Sequence, residues 1–128
     1  MTIRKEVVES SRVPRLGPYS QAVRVGELIF TAGQPGIDPK TGAVAGSDFE
    51  SQARQAFANL RAVLEDAGSG LDQVVRATCF IADAGAFPTL NTLFTEYFPT
   101  SPPVRSAPVV ALPKGLLFSN DAIAVSRT

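Results

Sequence analysis

Hydrophobic and polar positions change period several times along the chain, and each change marks an element. Near the amino end, "IRKEVVES" alternates like a short strand, and "SSRVPRLGPYS" follows as a loop set by Pro14, Gly17 and Pro18. Two β-rich runs, "SQAVRVG" and "ELIFTAG", flank Gly26 and Glu27 at the spacing of a tight hairpin. "QPGIDPKTGAV", dense in Pro, Gly and Asp, reads as turns. A helix follows: Ser47 and Glu50 form a capping box, Ala53, Phe57, Leu60, Leu64 and Ala67 recur at helical spacing, and Gly68 and Gly70 stop it.

"LDQVVRATCFIAD" is a strand with Val75, Ala77, Cys79 and Ile81 on one parity and Val74 and Phe80 on the other, the pattern of a strand covered on both faces. "FPTLNTLFTEYF" predicts a second helix, with Pro88 in its first turn, Phe87, Leu90, Phe94 and Tyr97 near one face, and Pro99 ending it. Two last strands, "PVRSAPVVA" and "LLFSNDAIAVSR", flank "LPKG". The order β-β-β-α-β-α-β-β gives an α+β domain over residues 1–128, one sheet with two helices on one face. The strands carry apolar side chains on both faces, and no further element is left to cover the second. Another copy of the chain is the simplest cover, so a homo-oligomer with its interface on the open sheet face is expected. Clefts between subunits would then be the places for a small ligand.

Composition narrows the chemistry. At 128 residues and 45% hydrophobic content the chain can bury a core without disulfides or metal. Twelve basic residues balance twelve acidic ones and are scattered, so neither a nucleic acid nor a membrane surface is an expected partner. The start, "MTIRKEVVES", lacks a secretory apolar region, and with the single Cys79 it points to the cytoplasm. Histidine is absent, which removes Ser-His-Asp and Cys-His nucleophile systems and the usual zinc sets. Carboxylates, Arg, Lys, Tyr, hydroxyls, backbone amides and water remain.

Within that set Arg105 stands out, a charge in an otherwise apolar or small run, "TSPPVRSAPVVALPKG", sharing a strand parity with Ala107, Val109 and Ala111. It is either a fork for a planar carboxylate or a strand-end arginine reaching solvent or a structural carboxylate; the pattern leaves both open. Asp121 shares its parity with Ile123 and Val125 and could hold a water, pair with Arg105 or cap a solvated strand. Tyr19 follows the rigid Gly17-Pro18 pair and could wall a pocket or simply pack, and Asn91 stands inside the second helix, where Asn is unfavourable without a partner or solvent. Cys79 reads as a small buried hydrophobe, and "FTAGQPG" lacks the spacing of a phosphate loop.

Taken together, "GPYSQAV", "IFTAGQPGIDPKTG", "QARQAFANLRAVLEDAGSGLDQVVRATCFIAD", "VRSAPVVALPKG" and "DAIAV" resemble the Rid family of reactive-intermediate deaminases, the RidA/YjgF proteins, from about Gly17 to Val125. The resemblance implies a chorismate-mutase-like fold with a single mixed sheet, and a homotrimer with three clefts between subunits. It implies hydrolysis of small 2-enamine and 2-imine acids, such as 2-aminoacrylate and its imine tautomer, to 2-keto acids and ammonia, with no cofactor or metal. By the same resemblance Arg105 binds the carboxylate, Tyr19, Gly33 and Asn91 shape the substrate pocket, the backbone amide of Ala107 contacts the ligand, and Asp121 stands in for the family's water-orienting Glu. Ala32, Ala107 and Pro108 depart from the family pattern, as does a shortened turn before "PPVRS". A relative acting on a larger enamine acid, such as an aminomuconate, or a non-catalytic module for small carboxylates or a protein partner, stands as the alternative.

Overall fold

The computed structural model describes residues 2–127. Strands β1 (Lys5–Val8), β2 (Ala22–Val25) and β3 (Leu28–Thr31) form an antiparallel meander, and the expected hairpin turns at Gly26, whose φ of 60° suits a residue without Cβ. After β4 (Gln34–Pro35) come helix α1 (Phe49–Asp66), strand β5 (Val74–Ile81), helix α2 (Phe87–Tyr97), and strands β6 (Val104–Ser106) and β7 (Phe118–Val125). The sheet runs β1-β2-β3-β7-β5-β6, with β4 paired to β7. Among the strands of the described residues the β5–β6 pair is parallel and the others antiparallel, so the sheet is mixed and the fold α+β.

Both helices lie on one face. From α1, Ala53, Phe57, Leu60 and Leu64 are fully buried, as expected, and from α2 Leu90 and Leu93 join them. They close over Ile29, Ala77, Cys79, Ile81 and Phe118 of the sheet. The Phe57 ring anchors the layer, stacked on Tyr97 at 4.7 Å between centroids and tilted against Phe118 at 5.2 Å. Among the described residues no helix is long and apolar enough to cross a membrane.

Four local expectations change. The cap of α1 is Asp48, whose Oδ2 accepts from the Ser51 amide at 2.9 Å, in place of the Ser47–Glu50 box. The segment read only as turns contributes β4, pairing Gln34 and Pro35 with Asn120 and Ser119. A register shift between Val74 and Arg76 moves Val75 out of the phase of Ala77, Cys79 and Ile81, leaving it 44% exposed, so β5 is fully covered on one face only. The strand at Arg105 ends at Ser106, and the chain rejoins β5 through an isolated bridge of Val109 to Ile81, with the Pro108 carbonyl accepting from the Ile81 amide at 3.1 Å. Arg105 therefore does not share a continuous strand face with Val109 and Ala111.

Candidate active site

The loop "RLGPYS" folds Tyr19 back on itself. Its amide donates to the Gly17 carbonyl at 2.9 Å, and a Cβ on Gly17 would stand 2.8 Å from the Tyr19 ring, so a side chain there would displace the ring. The ring then faces a cleft of about 530 Å³ that also includes Gly33, Pro35, Val44, Leu112 and Ser119. The cleft walls are held by amide side chains buried along α1. Gln52 accepts from the Leu117 amide at 2.7 Å and donates to the Gly46 carbonyl at 3.1 Å, while Asn59 donates to the Pro35 and Ile37 carbonyls at 3.2 and 2.8 Å. Two segments distant in sequence are thus fastened to one helix. The polar side-chain groups on the cleft are the hydroxyls of Tyr19 and Ser119 and the ammonium of Lys114, with apolar groups making most of the rest.

Arg105 lies elsewhere. Its strand position pairs with Ala77, which pairs with Ala122, and that row is on the helix side of the sheet. The guanidinium is half-buried, 4.9 Å above the Phe94 ring of α2, and has no ion pair among the described residues. Asn91, one turn before Phe94 on α2, is exposed, and Ala107 packs against the rim of the core next to β6. Arg105, Asn91 and Ala107 therefore cluster around the α2–β6 edge, whereas Tyr19 and Gly33 share the cleft.

Asp121 joins neither group. It pairs with Thr78, in the row that also holds Ser106, on the open face of the sheet and opposite Arg105. Burial pushes its carboxyl above the usual aspartate range, while a hydrogen bond from Thr78 and the charge of Arg76 pull it back. Arg76 in turn donates to Ser106 Oγ at 2.8 Å. Cys79 is fully buried and its thiol is pushed up to about 12, chiefly by desolvation, which makes it the inert hydrophobe its pattern suggested. A second depression, of about 670 Å³ beside Ser10, Gln21 and Asp66, has its buried polar groups already committed: Ser10 Oγ donates to Asp66 at 2.6 Å, and Gln21 donates to the Val13 carbonyl at 2.7 Å.

Ser119 was not singled out by sequence. The only available signal was its parity with Asp121 on the last strand. Its partner in the cleft, Gly33, is so close that a Cβ there would stand 3.3 Å from Ser119 Oγ.

Comparison with known proteins agrees with the fold and the sequence blocks. Residues 9–126 match the family model described as Endoribonuclease L-PSP. A RutC family protein of Pyrococcus abyssi is 43% identical over 122 residues, covering 94% of this chain and 96% of that protein. The mouse protein named 2-iminobutanoate/2-iminopropanoate deaminase is 39% identical over 126 residues, covering 97% of this chain and 93% of the mouse chain. The crystal structure of YyfA, a Rid family protein of Yersinia pestis, superimposes with a TM-score of 0.91 at 38% identity, over 95% of this chain and 99% of that one. The chain belongs to the endoribonuclease L-PSP family, that of the Rid proteins, as its sequence blocks implied.

Proposed function

We propose that the protein hydrolyses small 2-imine and 2-enamine acids to 2-keto acids and ammonia. The observation that carries this reading is the Arg105 guanidinium, half-buried on an aromatic ring and without an ion pair among the described residues, where an anion is the natural complement. A relative that is 39% identical over nearly the full chain and bears the deaminase name supports the substrate class. Arg105 holds the substrate carboxylate. Tyr19 and Gly33 form the cleft that receives the rest, and Asn91 and the Ala107 amide border the arginine.

In one protomer the fork and the cleft are on different sides of the sheet, which supports a site assembled between copies, in the homotrimer that the family resemblance implies. The reaction consumes only water. To test it, 2-aminoacrylate is generated in situ with a serine dehydratase and pyruvate release is followed. The protein accelerates release, and Arg105→Ala lowers kcat/KM by about ten- to a hundredfold, the equivalent of one charge-assisted contact. Arg105→Lys does not restore it, because an ammonium cannot make the two parallel bonds. No acceleration at any protein concentration, or binding of 2-keto acids without turnover of any enamine, would overturn the proposal.

A further inference from the structure

Resting on the deaminase reading, we propose that Asp66, at the carboxyl end of α1, is a positioning residue for the substrate cleft: through Ser10 and Arg12 it sets the loop that carries Tyr19. Residues 9–21 run from β1 to β2 outside any helix or strand, and their tip brings Leu16 and Tyr19 into the cleft. Among the described residues the tip from Pro14 to Ser20 hydrogen-bonds only to itself, by the Tyr19 amide to the Gly17 carbonyl. Its direction is therefore inherited from its base. There Val13 is buried in the core, and the buried Gln21 side chain ties the two ends of the loop together. It accepts from the Ser10 amide at 2.7 Å and donates to the Ser10 and Val13 carbonyls at 3.2 and 2.7 Å.

Residues 10–12 are fastened to the body by Asp66. Its Oδ2 accepts from Ser10 Oγ at 2.6 Å, and Arg12 donates to its Oδ1 at 3.1 Å, to Glu65 Oε1 at 3.1 Å and to the Ala62 carbonyl at 2.9 Å. A carboxylate is poorly placed there as far as the helix is concerned. Glu65 and Asp66 close α1 with no basic residue in its last turn, at the end where the helix dipole favours cations. Arg12, 54 residues from Asp66, supplies the missing charge and takes up one of the last carbonyls. An acid that its own helix disfavours is explained by the loop it holds. The Ser10 hydrogen bond, working against desolvation, and then Arg12 keep the Asp66 carboxyl below the usual aspartate range, so the clasp is closed at neutral pH.

The test measures kcat, KM, melting temperature and hydrogen exchange on the whole protein, with the imine released in situ. Asp66→Ala removes the clasp together with a charge that the helix end disfavours. So kcat/KM falls about tenfold, chiefly through KM, while the melting temperature stays close to the parent value. Amides of residues 10–21 exchange about tenfold faster, and those of α1 and the sheet are unchanged. Asp66→Asn, which keeps an acceptor for Ser10, recovers most of the loss. In a Tyr19→Ala background Asp66→Ala costs less than about twofold, because the residue it positions is gone. Parent kcat/KM in Asp66→Ala, a loss that follows the melting temperature, failure of asparagine to recover it, or an equal loss with and without Tyr19 overturns the proposal. If the parent itself accelerates no imine, the deaminase reading falls instead, and hydrogen exchange then decides the clasp by itself: unchanged exchange over residues 10–21 in Asp66→Ala overturns it.

Discussion

Asp121 sits half-buried among Thr78, Ile123 and the guanidinium of Arg76, and desolvation outweighs both favourable contacts. Its carboxyl therefore holds its proton more tightly in the folded chain than in the unfolded one. A group of this kind favours folding below its unfolded pKa, and that advantage is lost as pH rises through the higher folded value. Asp121→Asn, which keeps an acceptor for Thr78 and removes the charge, is expected to gain stability relative to the parent. The gain should be smallest near pH 4 and grow toward neutrality. Denaturant unfolding at several pH values measures it, and a gain independent of pH would show that the buried charge is not the cause. Asp121 was visible in the sequence because a carboxylate in an apolar strand is conspicuous, and Tyr19 because a Gly-Pro pair presents it. Ser119 was not, since a strand serine carries no signature until Gly33, far off in the chain, is brought against it.

Elements were read correctly where one side of the chain repeats. The hairpin and both helices follow from period and from their Gly and Pro boundaries, and the observed hairpin, α1 and α2 hold them. Strand β4 escaped because two residues, one of them proline, give no alternation, and the contact that makes it a strand is made to β7. It also depends on space. A Cβ on Gly36, directly after β4, would stand 2.3 Å from the Gln52 carbonyl oxygen and 2.8 Å from the Gln52 Cα, both backbone atoms of α1 that cannot swing away. Gly36→Ala is expected to wedge β4 from α1 and cost about 1–3 kcal/mol, the range of an overpacked interior. The Asn59 bonds to Pro35 and Ile37 would stretch with it, opening the wall of the cleft. A lower denaturation midpoint at unchanged m-value checks this, and parent stability would show that the two backbones can separate freely.

At the scale of the whole molecule, the sheet face away from the helices is more apolar than a lone chain would leave it. Val23, Phe30 and Ile123 are paired across β2, β3 and β7, with Leu28 and Val125 in the next row on that face, and Phe30 and Leu28 are 39% and 42% exposed. A contiguous patch of this kind is the signature of an interface. The same face carries Asp121, Thr78, Arg76 and Ser106 as a polar island toward β6, which gives an interface both an apolar centre and a means of fixing its register. Because Arg105 and the Tyr19 cleft lie on different sides of one protomer, assembly and turnover should fail together. Phe30→Glu places a charge at the centre of the patch, at a position that is already partly exposed in the single chain, so the protomer keeps its fold. Light scattering is expected to give a mass near three times the 13.5 kDa chain for the parent and near one chain for the variant, with circular dichroism unchanged and imine turnover lost. A monomeric variant that keeps parent turnover would mean that one chain closes its own site, with the Arg105 side chain turning round the β6 edge to reach the cleft.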